Sequence, residues 1–202
     1  MQAKLLPDGK IVLVASSFFP TPTVVAIRLT ENGLFDNSFD TDGLVVLNSF
    51  FQYASAIETE PNGKIVILGT DGSNDSRLLR LNANGSVDNT LGGSNGLLLE
   101  VDLGYSNNYF EGFKRVNATQ YLVFGSGNIP NSNEQGNFLA KITNVGGLVN
   151  GFGTGGRVVL NTMETDDRSE RITDVVLLAD GKILVGTSGN DEAEEDVFNA
   201  YF

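Results

Sequence analysis

The apolar residues of this chain fall in short runs of about four to seven, rich in Val, Ile, Leu, Phe and Thr, and each run is closed by Gly, Asn, Asp or Pro. Runs of that length and punctuation predict short antiparallel strands, and no apolar-periodic stretch is long enough to predict a helix. In segments such as Ile65-Val66-Ile67-Leu68 the apolar character is continuous rather than alternating. Such strands are expected to be buried on both faces of their sheet.

The runs repeat. Leu5-Leu6-Pro7-Asp8-Gly9-Lys10-Ile11-Val12-Leu13-Val14 returns as Glu60-Pro61-Asn62-Gly63-Lys64-Ile65-Val66-Ile67-Leu68, and again as Leu178-Ala179-Asp180-Gly181-Lys182-Ile183-Leu184-Val185. A degenerate copy reads Val116-Asn117-Ala118-Thr119-Gln120-Tyr121-Leu122-Val123. A second motif follows in step: Ala26-Ile27-Arg28-Leu29 before Asn32-Gly33, Leu78-Leu79-Arg80-Leu81 before Asn84-Gly85, and Leu139-Ala140-Lys141-Ile142 before Gly146-Gly147. Each copy then runs through a linker into an apolar segment, as at Leu44-Val45-Val46-Leu47. Asp8-Gly9, Asn62-Gly63 and Asp180-Gly181 predict two-residue hairpin turns, because these dipeptides tolerate positive φ. Four-stranded units of roughly 50 to 60 residues, each buried by its neighbours, predict an all-β fold, a β-propeller of four repeats. The repeats are expected near residues 1–50, 51–105, 106–165 and 166–202 of a single domain, the last one incomplete because its strands stop at Ala200-Tyr201-Phe202.

At Leu6-Pro7-Asp8-Gly9-Lys10-Ile11, at Arg80-Leu81-Asn82-Ala83-Asn84-Gly85-Ser86-Val87-Asp88 and at Phe152-Gly153-Thr154-Gly155-Gly156 the sequence resembles the delta-60 repeat family of bacterial β-propeller-like repeats. The likeness runs through nearly the whole chain. It implies a propeller and a setting as a module of a larger secreted or cell-surface protein. Two departures break the symmetry: the third copy lacks the Asp-Gly turn, and the fourth lacks the Phe-Gly tail.

Composition narrows the chemistry. With no Cys and no His, thiol nucleophiles, Cys/His metal sites and His-based catalytic arrangements are excluded. Thirteen basic residues against 25 acidic ones give a net charge of −12, which disfavours nucleic acid and anionic membranes as partners. No stretch approaches a membrane span of roughly 20 apolar residues, and Met1-Gln2-Ala3-Lys4 does not open like a signal peptide. The acidic, Cys-free composition still leans towards an extracellular or cell-surface setting.

Lys4, Glu58, Lys114 and Val176 occupy equivalent first-strand positions; opposed charges there could bind a small polar ligand or act as acid and base, or simply pair. Asp36, Asp88 and Asn150 recur before Phe39, Leu91 and Phe152, where Asx side chains are expected to bond their own turns while the apolar residue wedges into the core. Arg28, Arg80 and Lys141 recur as well and are expected to snorkel. The loop containing Asp71, Asn74 and Asp75, and the acidic loop containing Asp191 and Glu194, carry oxygen ligands of the kind Ca²⁺ takes, with solvated turns as the alternative. The glycine-rich Gly151-Phe152-Gly153-Thr154-Gly155-Gly156 follows no strand-to-helix pattern and is read as structural. Aromatic residues cluster in unrepeated segments: Phe18 and Phe19, Phe50-Phe51-Gln52-Tyr53, Tyr105, and Tyr109 with Phe110. Core packing is expected to claim most of them, with Phe18 and Phe19 the most exposed. The expected function is a non-catalytic binding or scaffold module that meets a protein or glycan through its variable loops. Assembly through the incomplete fourth repeat, and a carboxylate-based hydrolase or lyase using Glu58 and Lys114, are the alternatives.

Overall fold

The computed structural model describes residues 1–18, 21–73, 75–93, 96–98, 106–128, 135–160, 171–188 and 200–201. The fold is all-β, built from the four-stranded antiparallel blade of a β-propeller. Strands β1 (Gln2–Leu5), β2 (Ile11–Ser17), β3 (Thr23–Leu29) and β4 (Leu44–Val46) form the first sheet in chain order. Strands β5 (Tyr53–Thr59), β6 (Ile65–Thr70), β7 (Ser76–Leu81) and β8 (Leu97–Leu98) form the second. The third holds β9 (Ser106–Arg115), β10 (Gln120–Asn128), β11 (Gln135–Thr143) and β12 (Arg157–Leu160). The fourth has three described strands, β13 (Arg171–Leu177), β14 (Ile183–Ser188) and β15 (Ala200–Tyr201). Each sheet lies within one sequence repeat, and β9 to β11 run longer than the four to seven residues expected.

Contacts group the chain into two units, Met1–Glu100 with Asn144–Gly146, and Val101–Thr143 with Gly147–Phe202. In the first unit, Val12, Val14, Val24 and Ala26 of the first sheet belong to one core with Ile57, Ile65, Ile67 and Leu79 of the second. Strand β6 is buried at every position, as its unbroken apolar run predicts. In the second unit, Leu122, Phe124 and Leu139 pack with Ile172, Val175 and Val185.

The hairpin turns differ from the two-residue form expected. In the first, the Leu6 amide donates to Lys10 O (2.8 Å) and the Gly9 amide to Leu6 O (3.0 Å), with φ of +82° at Gly9 but not at Asp8. This is a type I turn closed by a left-handed glycine, and Pro7 suits its first central position. The same pair of bonds recurs at Glu60/Lys64 and Gly63, and at Leu178/Lys182 and Gly181. Asp8, Asn62 and Asp180 each accept the amide two residues on.

A second recurrence accompanies a glycine inside the second strand. Repeats two, three and four carry a bulge in the first strand, at Ser55, Glu111 and Thr173, each facing a glycine-containing step of the next strand. Gly125 is required there because a Cβ would overlap the carbonyl oxygen of Tyr109.

Gly125→Ala is therefore expected to cost at least about 2 kcal/mol, since backbone must shift. Gly181→Ala meets open space and is expected to cost only about 1 kcal/mol, for its positive φ. Urea-unfolding midpoints of the two variants test the ordering, and equal shifts would refute it.

Candidate functional site

In the first unit the sheets have two unlike ends. At the hairpin-turn end, each of the first two repeats builds one buried ion network. Arg28 is 5% exposed and Arg80 4%. Arg28 Nε donates to Asp36 Oδ2 at 2.7 Å, and Arg80 Nε to Asp88 Oδ2 at 2.7 Å. Lys10 reaches Asp36 at 3.0 Å and Lys64 reaches Asp88 at 2.6 Å. The other carboxylate oxygen accepts the amide and hydroxyl of Ser38 in one repeat and of Thr90 in the next. Arg28 also donates to the Ala83 carbonyl of the second repeat, and its guanidinium lies 4.8 Å from the centre of the Phe39 ring. The arginines are thus buried partners of the aspartates, not snorkelling side chains. In an interior position a guanidinium must be matched by an anion, and the aspartate eight residues on supplies it.

Burial pushes the carboxyl pKa of Asp36 up, but bonds from Ser38 and Lys10 and the charge of Arg28 hold it far below the usual range. Asp88 is depressed likewise by Lys64, Thr90 and Arg80 against its own burial.

The third repeat departs from this network at all three positions together. Val149, not Asn150, occupies the aspartate's place, since its amide donates to Lys141 O and its carbonyl accepts the Phe152 amide. Gln120 stands where Lys10 and Lys64 stand, and Lys141 replaces the arginine, its ammonium 4.8 Å from the centre of the Phe152 ring. Phe39 and Leu91 are fully buried, as expected of the wedge residues.

Between the two hairpin turns lies a recess of about 480 Å³ bordered by Asp8, Lys10, Arg28, Ser38, Asn62 and Asn84. Its charged members are already engaged in the first network. Among the first-strand candidates, Lys4 and Glu58 are brought together, Nζ to Oε1 at 3.0 Å. Lys114 pairs with Asp174 at 2.9 Å, and Val176 is half-exposed.

At the other end, Phe18 (63% exposed) and Tyr53 (38% exposed) stand beside each other. Their rings are nearly parallel, 14° apart, with centroids separated by 6.1 Å. Beside Tyr53 a groove of about 310 Å³ is lined by Pro22, Asn48, Phe50, Gln52, Asp71 and Arg77, with Ser49, Phe51 and Gly72. Asn48 Oδ1 accepts the Val24 amide at 2.7 Å, which ties the linker to β3. The Asp71 carboxylate accepts the amides of Ser73 (2.8 Å) and Asp75 (3.1 Å) and pairs with Arg77. Burial raises its pKa, and those amides and Arg77 together bring it below the ordinary value. Arg77 therefore supplies the cationic partner for Asp71, and Asp75 takes part through its backbone and is exposed. Among the described residues no three acidic side chains cluster as a metal site would require.

Of the other aromatic candidates, Phe51 and Phe110 are core residues, and Tyr109 is half-buried. Phe19, Asn74, Tyr105, Asp191 and Glu194 lie outside the described residues. The lysines of the two networks escaped the residue-type reading because each sits in a turn motif. Their signal was the Lys that follows Gly9 and Gly63, in step with Arg28 and Arg80.

Comparison with known proteins matches residues 6–39 and 60–91, together about a third of the chain, to a family described as "Domain of unknown function (DUF5122) beta-propeller". These residues of the first two repeats thus match a β-propeller repeat family. No curated protein matches. Among solved structures, the β-propeller domain of the Trilobed protease from Pyrococcus furiosus, described as having an open velcro topology, aligns with a TM-score of 0.47 and 9% identity. The alignment covers 100% of this chain and 57% of that one.

The networks set an acid limit. Because the folded pKa values of Asp36 and Asp88 are depressed, their contribution is complete above the unfolded value of about 4 and is lost as pH falls through the folded values. The melting temperature is expected to fall progressively below about pH 4, with a shallower acid slope in Asp36→Asn. Asp36→Val strands Arg28 in the interior and is expected to cost about 3–5 kcal/mol. Adding Lys10→Gln and Arg28→Lys, the residues of the third repeat, is expected to recover at least about 1 kcal/mol of that loss. A triple variant as unstable as the sum of the single ones would overturn the network.

Proposed function

We propose that the chain is a non-catalytic binding module, a delta-60-type propeller segment of an extracellular or cell-surface bacterial protein, whose recognition surface is the loop end of its first two repeats. The exposed, stacked Phe18 and Tyr53 beside a mixed-polarity groove carry this reading. Large aromatic rings held at a surface supply binding area at low entropic cost, and they mark interaction sites more often than chance exposure does. The pairing of Glu58 with Lys4 and of Lys114 with Asp174 supports binding over acid–base catalysis, since each proposed catalytic group already holds an opposite charge.

The test probes a glycan array and a displayed peptide library with the wild type, the Phe18→Ala/Tyr53→Ala double variant, and Phe35→Ala, an exposed aromatic of the hairpin-turn end. Ligands held by the wild type and Phe35→Ala but lost by the double variant are expected. A ligand set that the double variant keeps intact would move the surface elsewhere. Turnover of a captured ligand that Glu58→Gln abolishes would replace binding with catalysis.

A further inference from the structure

We infer that the loop-end site takes an uncharged glycan; the inference rests on the recognition surface proposed above and names its ligand class. The two rings are stacked nearly parallel, and Phe18, 63% exposed with Tyr53 beside it, offers an open aromatic surface rather than a pocket. Such a surface suits the flat C–H face of a sugar ring, which stacks on aromatic faces without being engulfed. The groove beside it, at about 310 Å³, lies at the small end of ligand clefts, which run from roughly 300 to 1,000 Å³. It matches a short stretch of sugar rings better than an extended peptide, which would run past it.

The groove's polar groups are of both kinds. With its Oδ1 committed to Val24, Asn48 offers its amide nitrogen as a donor. Gln52, exposed at the rim, offers a donor and an acceptor. Sugar hydroxyls donate and accept at once, so a wall that holds both donors and acceptors matches them better than it matches a ligand of one polarity.

Charge decides between glycans. The chain carries −12 overall, Asp71 stays ionised by its depressed pKa, and the Arg77 charge is already neutralised by it. A uronic-acid or sulfated polymer would meet net repulsion with no free cation among the groove's described residues to offset it, whereas a neutral polymer is indifferent to that field.

The experiment is affinity electrophoresis of the full chain in native gels containing a β-glucan, a mannan, an arabinoxylan, an α-glucan or polygalacturonate. Calorimetric titration follows, with an oligosaccharide of any retarding polymer. At least one neutral polymer is expected to retard the wild type, and Phe18→Ala or Tyr53→Ala to weaken binding at least about tenfold. Gln52→Ala, an exposed side chain, serves as a second probe that leaves the strands intact, and is expected to weaken binding severalfold. Phe35→Ala and added salt are expected to change nothing. The inference fails if no neutral polymer retards the chain, if polygalacturonate binds more strongly, or if Phe35→Ala weakens binding as much as Phe18→Ala. A peptide ligand lost in the Phe18 and Tyr53 variants, with no neutral glycan bound, overturns the glycan and leaves the recognition surface standing. A glycan bound equally by both ring variants overturns both.

Discussion

Each of the first two repeats is organised around one buried arginine. A guanidinium withdrawn from water has to meet a carboxylate at close range, and the chain between Arg28 and Asp36, or Arg80 and Asp88, is folded so that it does. The aspartate in turn fixes the turn that follows through Ser38 or Thr90, and that turn delivers Phe39 or Leu91 into the core. The lysine from the hairpin locks the two halves of the repeat to one another. Pairs of this kind add little net stability over an apolar substitute, because desolvation offsets most of the attraction. Their consequence is geometric: only one arrangement of hairpin, third strand and linker satisfies every charge. The third repeat supports that account by abandoning the lysine, the aspartate and the arginine together, using Gln120, Val149 and Lys141 instead.

The constraint also divides the labour between the two ends of a sheet. Hairpin turn and linker meet at one end, and there the chain repeats its hydrogen bonds almost residue for residue. The loops at the other end carry no share of the ion networks. Their lengths drift, and the exposed Phe18 there stacks on Tyr53 at the start of β5. A scaffold that secures itself at one end leaves the other free to acquire chemistry without a loss of foldability.

Much of the fold was legible in the sequence because strand runs, turn dipeptides and repeat spacing are local signals. Continuous apolar runs such as Ile65-Val66-Ile67-Leu68 announced two-sided burial, and β6 is buried throughout. The hairpin takes the longer form because the Asx residue keeps out of the left-handed region and accepts the amide two residues on, leaving the positive φ to glycine alone, after Ala179 as after Pro7 and Pro61. The bulges at Ser55, Glu111 and Thr173 are signalled by the glycine inside each second strand, Gly69, Gly125 and Gly186, since glycine within a strand marks a bulge or a close backbone approach; which first-strand residue is the extra one follows only from how the two strands align. The arginines were misread for a related reason: an Arg in an alternating strand looks the same whether it points to water or to a carboxylate eight residues away. At the loop end, Phe18 stood out in the sequence as exposed. Tyr53 was hidden in a run with Phe50 and Phe51, and only the structure separates the buried Phe51 from the exposed Tyr53.

Electrostatics ties the two ends together. Most of the 13 basic residues are held in ion pairs, some buried and some at the surface. Few cations are left to balance the remaining carboxylates, and the excess negative charge is therefore carried by exposed side chains such as Asp75. Arg28 and Arg80, committed to the interior, are withdrawn from the groups that most readily hold phosphate, sulfate or carboxylate ligands. The same arginine that dictates the repeat is thereby removed from the chemistry of the surface.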